Sequence, residues 1–213
     1  MAEPRPKLRL AVLISGSGST LRNLLELSAT GRLNAEVVGA AASRNCSGLE
    51  HARQFDVPSA VVKRGKPFDP ADFSERMTAQ LDQWRPELIA LGGFLSLYII
   101  PPHYENKVIN IHPALLPSFG GKGMYGDHVH EAVLASGARV TGCSVHLVNN
   151  EYDAGTVLAQ RAVPVLDDDS VETLGSRVRA TERELYPQVI QWFAEGRVTI
   201  SRNGEVTIGG RSF

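Results

Sequence analysis

Asn110 and His112 are the residues whose type and spacing point most directly to chemistry in this 213-residue chain. They stand two apart in Val108-Ile109-Asn110-Ile111-His112-Pro113, a short apolar run that reads as a β-strand. On a strand both side chains face the same side, and Ile111 faces the other. Pro113 ends the ladder, which puts both polar groups at the strand's tip, where open α/β sheets place their ligand crevice. An amide donor beside an imidazole suits an acyl-transfer oxyanion: the amide supplies a fixed N–H and the imidazole a proton. Among the carboxylates Asp153 stands out, in Asn149-Asn150-Glu151-Tyr152-Asp153-Ala154-Gly155, the turn between two apolar runs. Ala154-Gly155 lets a backbone or a ligand come close. An acid there raises the pKa of a nearby imidazole and keeps it protonated, or accepts through water the proton lost by an attacking amine. The structural alternatives are a histidine satisfied at a strand end and an aspartate closing an Asx turn.

A second group lies near the N-terminus, in Ser15-Gly16-Ser17-Gly18-Ser19-Thr20. Backbone amides at a helix start, aided by the helix dipole, favour a phosphate oxygen, and Gly18, Ser19 and Thr20 are the natural donors. Leu21 stands where a dinucleotide fingerprint needs its third glycine, and no Lys-Ser/Thr pair follows to make a Walker loop. The position favours a phosphomonoester over NAD; a simple tight turn is the structural alternative.

Positioning these groups requires an alternation of strands and helices. Leu8–Ile14, Glu36–Ala42, Val57–Val62 and Leu88–Leu91 read as strands. Between them fall helical patterns after Ser19, around Gly48–Phe55 and over Asp69–Gln83. Such alternation implies βαβ units with right-handed crossovers. The second half differs: the strand Val108–His112, a glycine-rich loop, a helix from Asp127 to Ala135, then extended runs at Gly142–Val148 and Thr156–Val165. Ser170, Glu172 and Thr173 open a long helix to about Glu195. Asn203-Gly204, between Val198–Ser201 and Val206–Ile208, signals a hairpin.

Composition narrows the classes. Lys plus Arg total 22 against 23 for Asp plus Glu, so no basic excess points to nucleic acid as a partner. Cys46 and Cys143, the two cysteines, have no CxxC spacing and fit neither a disulfide scaffold nor a zinc site; with no HExxH, no metal is expected. His128 and His130, two apart at a helix start, share no helical face and make a poor metal pair, while His146 alternates with Ser144 and could face the cleft. No GxSxG elbow supports a serine hydrolase. The longest apolar region, Leu88–Ile100, is interrupted by Gly92, Gly93 and Ser96 and falls short of the ~20 residues a membrane helix needs, so a cytoplasmic protein without membrane partners is expected.

Taken together, Asn110-Ile111-His112-Pro113-Ala114-Leu115-Leu116-Pro117, Gly142-Cys143-Ser144-Val145-His146 and Asp153-Ala154-Gly155 resemble the signature of the folate-dependent formyltransferases over about Leu8 to Val198. With the Ser15–Thr20 loop, they resemble the branch that acts on glycinamide ribonucleotide in purine biosynthesis. The resemblance implies a single α/β domain with a Rossmann-like, mostly parallel sheet flanked by helices, and antiparallel strands in its second half. Residues 8–105 would form the phosphate- and nucleotide-binding half, 106–198 the catalytic and folate-binding half, and 199–213 a tail. Asn110, His112 and Asp153 would be catalytic. Gly18, Ser19 and Thr20 would hold the phosphate, with Arg179 and Glu182 on the ribose and glycinamide. The co-substrate 10-formyltetrahydrofolate would lie along Leu95, Ser96, Leu97 and Tyr98, beside Asn110, and against the turn of Asn149, Asn150, Glu151, Tyr152 and Asp153. A monomer or homodimer is expected. Where the family often shows Met-Arg this chain has Leu95-Ser96, the loop after Leu116-Pro117 is lengthened by Gly121–Gly126, and no basic residue stands around Pro70–Asp72. A tRNA-directed relative would need a further C-terminal domain and a hydrolase relative an N-terminal one; a non-catalytic nucleotide-binding module is the alternative from another class.

Overall fold

A computed structural model describes residues 6–201, 205–209 and 211–212. Seven strands form one sheet in the order β3-β2-β1-β4-β5-β6-β7. The first five in that order, β3 (Ser59–Val61), β2 (Ala35–Ala42), β1 (Leu8–Ile14), β4 (Leu88–Leu91) and β5 (Val108–His112), run parallel. Strands β6 (Val140–Leu147) and β7 (Val157–Pro164) are antiparallel. Together these give the parallel first half and antiparallel second half expected from the sequence.

Burial on both faces explains the uninterrupted apolar strands. Leu10, Val12 and Ile14 of β1 join one core cluster with Leu21, Leu24 and Leu25 of α1 (Ser19–Ala29) and Val178, Leu185 and Val189 of α5 (Val171–Ala194). Ala11 and Leu13 face the other cluster, built on Phe73, Met77 and Leu81 of α3 (Pro70–Trp84). Helices α2 (Leu49–Gln54) and α4 (Asp127–Ala135) complete the first layer.

Local chemistry sets the helix ends. Asp69 caps α3, its side chain accepting from the Ala71 and Asp72 amides, and Pro70 needs no amide partner at the first helical position. Ser170 and Thr173 form a reciprocal capping box at α5. Strand β3 is shorter than the Val57–Val62 run, because the Val57 amide bonds back to Ala52 and Pro58 has no amide to give a ladder. Strands β8 (Val198–Ile200) and β9 (Val206–Ile208) pair antiparallel, as the hairpin signal predicts. The Asn203-Gly204 turn itself, like residues 1–5, lies outside the described residues.

The sheet's switch point, between β1 and β4, is where the chain turns from one side of β1 to the other. Tyr186 of α5 pins that edge: its buried hydroxyl is shared between the Leu91 carbonyl (3.1 Å) at the end of β4 and the Ile109 carbonyl (3.0 Å) in β5.

Candidate active site

A cleft of about 550 Å³ opens at the C-terminal ends of β1, β4 and β5. Its walls bring together Gly18, Ser19, Thr20, Asn110, His112, Asp153, Arg179 and Glu182, residues far apart in the chain.

Asp153 is the centre of the polar cluster. It sits in the left-handed backbone region (φ 53), which aspartate tolerates better than most residues. Its Oδ2 accepts from the Gly121 amide at 3.0 Å and lies 3.5 Å from His112 Nδ1. Its Oδ1 lies 3.5 Å from both Asn110 Nδ2 and His146 Nε2. Against the opposing effect of its burial, these surroundings hold the Asp153 carboxyl below the usual carboxylate range. The turn carrying Asp153 is fixed by Gly155, where an added Cβ would fall 1.8 Å from the Leu147 carbonyl oxygen. Gly155→Ala is therefore expected to lower both the melting temperature and kcat, because the turn and Asp153 must shift together; thermal unfolding and steady-state rates on one preparation check this.

His112, only 3% exposed, donates from Nε2 to the Phe119 carbonyl at 2.8 Å, which leaves Nδ1 towards Asp153. The sequence reading has Asp153 raising this imidazole's pKa enough to keep it protonated. The structure corrects that: burial pushes His112 below its ordinary value and outweighs the raising effects of Asp153 and the Phe119 carbonyl. In the empty cleft the neutral imidazole is favoured, because taking a charge out of water costs more than one carboxylate at 3.5 Å returns.

His146 has a clearer part than its alternation suggested. Its Nδ1 donates to the Leu147 carbonyl at 2.8 Å, so Nε2 accepts from Asn110 Nδ2 at 3.2 Å. The amide of Asn110 is thereby oriented, with its second N–H held only loosely towards Asp153. The register that pairs Asn110 with His146 across β5 and β6 produces this contact.

At the opposite wall, Gly18 precedes α1 with φ 71, and no side chain caps the helix. An added Cβ on Gly18 would meet Gly48 Cα at 2.7 Å, so both conformation and space require glycine. On α5, burial lifts Glu182 to about 7 against the opposing charge of Arg179. His130 of α4 is 2% exposed and its Nδ1 has no partner. Gly175 makes room for it: a Cβ there would lie 2.9 Å from the His130 ring and 2.8 Å from Arg179 Nη1. Lys122, His130 and Arg183 also line the cleft; the sequence reading weighed His130 only as a poor metal partner and missed Lys122 in its irregular loop and Arg183 on α5, where helical spacing does not show which face meets the cleft.

Of the residues expected along the folate, Leu95 and Tyr152 line the cleft, as do Asn110 and Asp153. Ser96, Leu97, Tyr98, Asn149, Asn150 and Glu151 are not among its lining residues. Tyr98 is buried, its hydroxyl hydrogen-bonds Thr78 Oγ1 at 2.9 Å, and burial pushes it up to about 12. Asn150 Oδ1 accepts from the Ile100 amide and Asn149 Oδ1 from the Glu151 amide, both at 3.0 Å. These side chains build the two turns.

The profile of the formyl transferase family matches residues 8–190. The chain belongs to that family. It is 33% identical to the phosphoribosylglycinamide formyltransferase of Escherichia coli, covering 96% of this chain and 95% of that one. It is 41% identical to the chloroplastic phosphoribosylglycinamide formyltransferase of Arabidopsis thaliana, over 95% of this chain and 70% of that one. Among solved structures, the phosphoribosylglycinamide formyltransferase of Coxiella burnetii in complex with CHES superposes with a TM-score of 0.87 at 34% identity, covering 97% of this chain and 96% of that one. A formyltetrahydrofolate deformylase of Pseudomonas syringae shares the fold at 22% identity.

Proposed function

We propose that this formyl transferase moves the formyl group of 10-formyltetrahydrofolate to the amine of glycinamide ribonucleotide. The observation that carries the proposal is one cleft lined by the Gly18–Thr20 helix start, by Arg179 and Glu182, and by Asn110, His112 and Asp153. A phosphate seat and a carbonyl-activating trio in the same cleft suit a phosphorylated acceptor that attacks a formyl carbon. Residues 8–105 supply the phosphate seat and residues 106–198 the trio. The relatives named for phosphoribosylglycinamide formyl transfer support the choice of acceptor.

Gly18, Ser19 and Thr20 present unpaired first-turn amides to the phosphate, and Glu182 with Arg179 receives the ribose and glycinamide. Phe94, Leu95 and Tyr152 offer an apolar wall suited to the folate rings; Leu95 is 39% and Tyr152 44% exposed. The Phe94–Tyr98 and Asn149–Asp153 backbones supply polar contacts along it. Asn110 donates its loosely held N–H to the formyl oxygen as negative charge develops there. That charge, added to Asp153, favours the imidazolium at the moment of need, so His112 takes up the proton that leaves the acceptor amine. Asp153 assists that transfer through water, and His112 then delivers the proton to the departing folate nitrogen. One C–N bond forms, one breaks, and one proton passes from acceptor to donor.

The test follows absorbance of the deformylated folate with glycinamide ribonucleotide present and absent. Turnover dependent on the ribonucleotide is expected; turnover without it means a hydrolase, and none at all a binding module. The same assay tests Glu182. Its carboxyl titrates at about 7 in the empty cleft, and its ionised form is the better partner for hydroxyls and an amine. The kcat/KM for the acceptor is therefore expected to rise as pH goes from 6 to 8, and Glu182→Gln should flatten that rise while lowering the plateau.

A further inference from the structure

Strands β6 and β7 grip the loop that follows β5, and they grip it at Leu116. Ser144 of β6, fully buried, lies opposite Gln160 of β7 in the sheet register. Ser144 Oγ donates its one hydrogen to the Ala114 carbonyl at 2.6 Å and accepts from the Leu116 amide at 2.9 Å. It also accepts from Gln160 Nε2 at 2.9 Å, and the second hydrogen of that amide goes to the Leu116 carbonyl, again at 2.9 Å. A hydroxyl offers one hydrogen and two lone pairs, so Ser144 is saturated. Both partners of Gln160 therefore require a donor, which fixes the NH2 end of its side chain inward.

The gripped loop leads straight to the trio. Beyond Leu116 the Phe119 carbonyl accepts from His112 Nε2 at 2.8 Å, and the Gly121 amide donates to Asp153 Oδ2 at 3.0 Å. Phe119 sits at φ 55, a conformation unfavourable for a bulky side chain, so its carbonyl keeps its aim only while neighbouring residues hold the loop. Between the two contacts stands Gly120, where an added Cβ would fall 2.5 Å from Leu116 Cδ2 and 3.3 Å from Asp153 Cβ. Leu116 and Asp153 thus pack on the same backbone atom, and a shift of one is felt by the other. Burial drives the pKa of His112 down, and the two influences that oppose it, Asp153 and the Phe119 carbonyl, are both touched by this loop.

We propose that Gln160 is a positioning residue for His112: by tying Leu116 to Ser144 it keeps the Phe119 carbonyl on Nε2, and so leaves Nδ1 unprotonated and ready for the acceptor's proton. The role rests on the proposed formyl transfer for the reaction it serves. Gln160 is exposed on the edge strand β7 and is not among the residues lining the cleft, so it acts only through the loop. Without its N–H the Leu116 carbonyl loses that bond and the loop is free to draw Phe119 away from the ring. A neutral imidazole released from that carbonyl can move its proton to Nδ1, where the Asp153 carboxylate waits at 3.5 Å. An Nδ1–H ring has no lone pair on that side to take a proton from the attacking amine.

The test compares the native chain with Gln160→Met, which removes the donor, and Gln160→Lys, which supplies N–H donors on a longer arm. In Gln160→Met kcat should fall about tenfold, the scale of one hydrogen bond felt at the barrier, with KM for both substrates unchanged. Nitrogen-15 NMR of the substrate-free chain should show His112 as the Nε2–H tautomer in the native protein and a growing Nδ1–H fraction in the variant. Gln160→Lys should regain most of the rate and of the native tautomer. Since the side chain is exposed, the methionine variant should melt close to the native temperature. If it does not fold, Gln160→Glu, which keeps the shape but only accepts when ionised, takes its place. Native kcat in the donorless variant, an unchanged His112 tautomer, or an equal loss in Gln160→Lys would each overturn the proposal. If the native chain shows no turnover the formyl-transfer reading fails, and the tautomer alone judges the clamp: a shift in the donorless variant restored by lysine upholds it, and no shift ends it.

Discussion

Asn110→Ala is expected to fold and bind both substrates but to turn over about 10²–10³-fold more slowly, the usual cost of removing one preorganised oxyanion donor. The size follows from how the amide is held. His146 Nε2 accepts one of its hydrogens at 3.2 Å, which fixes the plane and leaves the second available. A donor oriented before reaction begins needs no reorganisation as charge develops, so its removal falls on the barrier rather than on ground-state binding. Little change in KM with a large fall in kcat is the expected pattern. Equal losses in substrate affinity and kcat/KM, with kcat intact, would instead make Asn110 a binding residue. Asn110→Asp is a sharper variant: its carboxylate would face Asp153 and the developing oxyanion, and it should be at least as slow as the alanine variant.

The second large effect is expected at Asp153. Asp153→Asn should lower kcat by about 10²–10⁴-fold, the range for loss of acid–base assistance. The amide keeps the shape but withdraws the charge that counters the burial of His112, so the imidazole stays neutral when the proton should arrive. It also swaps one acceptor oxygen for an NH2 group, in a place where the Gly121 amide, Asn110 Nδ2 and, at 3.5 Å, His112 Nδ1 converge. A stability signature accompanies the kinetic one. Because the folded-state pKa of Asp153 is depressed, its ionisation contributes stability that is present above the unfolded carboxylate value of about 3.9 and lost as pH falls through the lower folded value. Melting curves from pH 7 down to pH 3 should therefore fall less steeply for Asp153→Asn than for the native chain. Near-native turnover in this variant would remove Asp153 from the mechanism.

Much of this was legible in the residues. Apolar strands buried on both faces announced the parallel half, and Pro113 after His112 announced a strand end with two polar side chains on one face. Period-two and 3.6 patterns are local, so they survive in a one-dimensional reading. Which residues meet across the fold was beyond them. The antiparallel register of β5 on β6 brings His146 to Asn110, and the left-handed turn at Asp153 aims its carboxylate at both histidines. Burial of His112 reverses the titration that a carboxylate neighbour alone implies, because desolvation depends on every element packed around the ring. The sequence by itself determined the order of elements and the pairing of Asn110 with His112 through spacing, while Asp153 joined them through the family resemblance. Only the tertiary structure decided which nitrogen faces which oxygen and which charges are stripped of water, because those depend on distances between residues far apart in the chain.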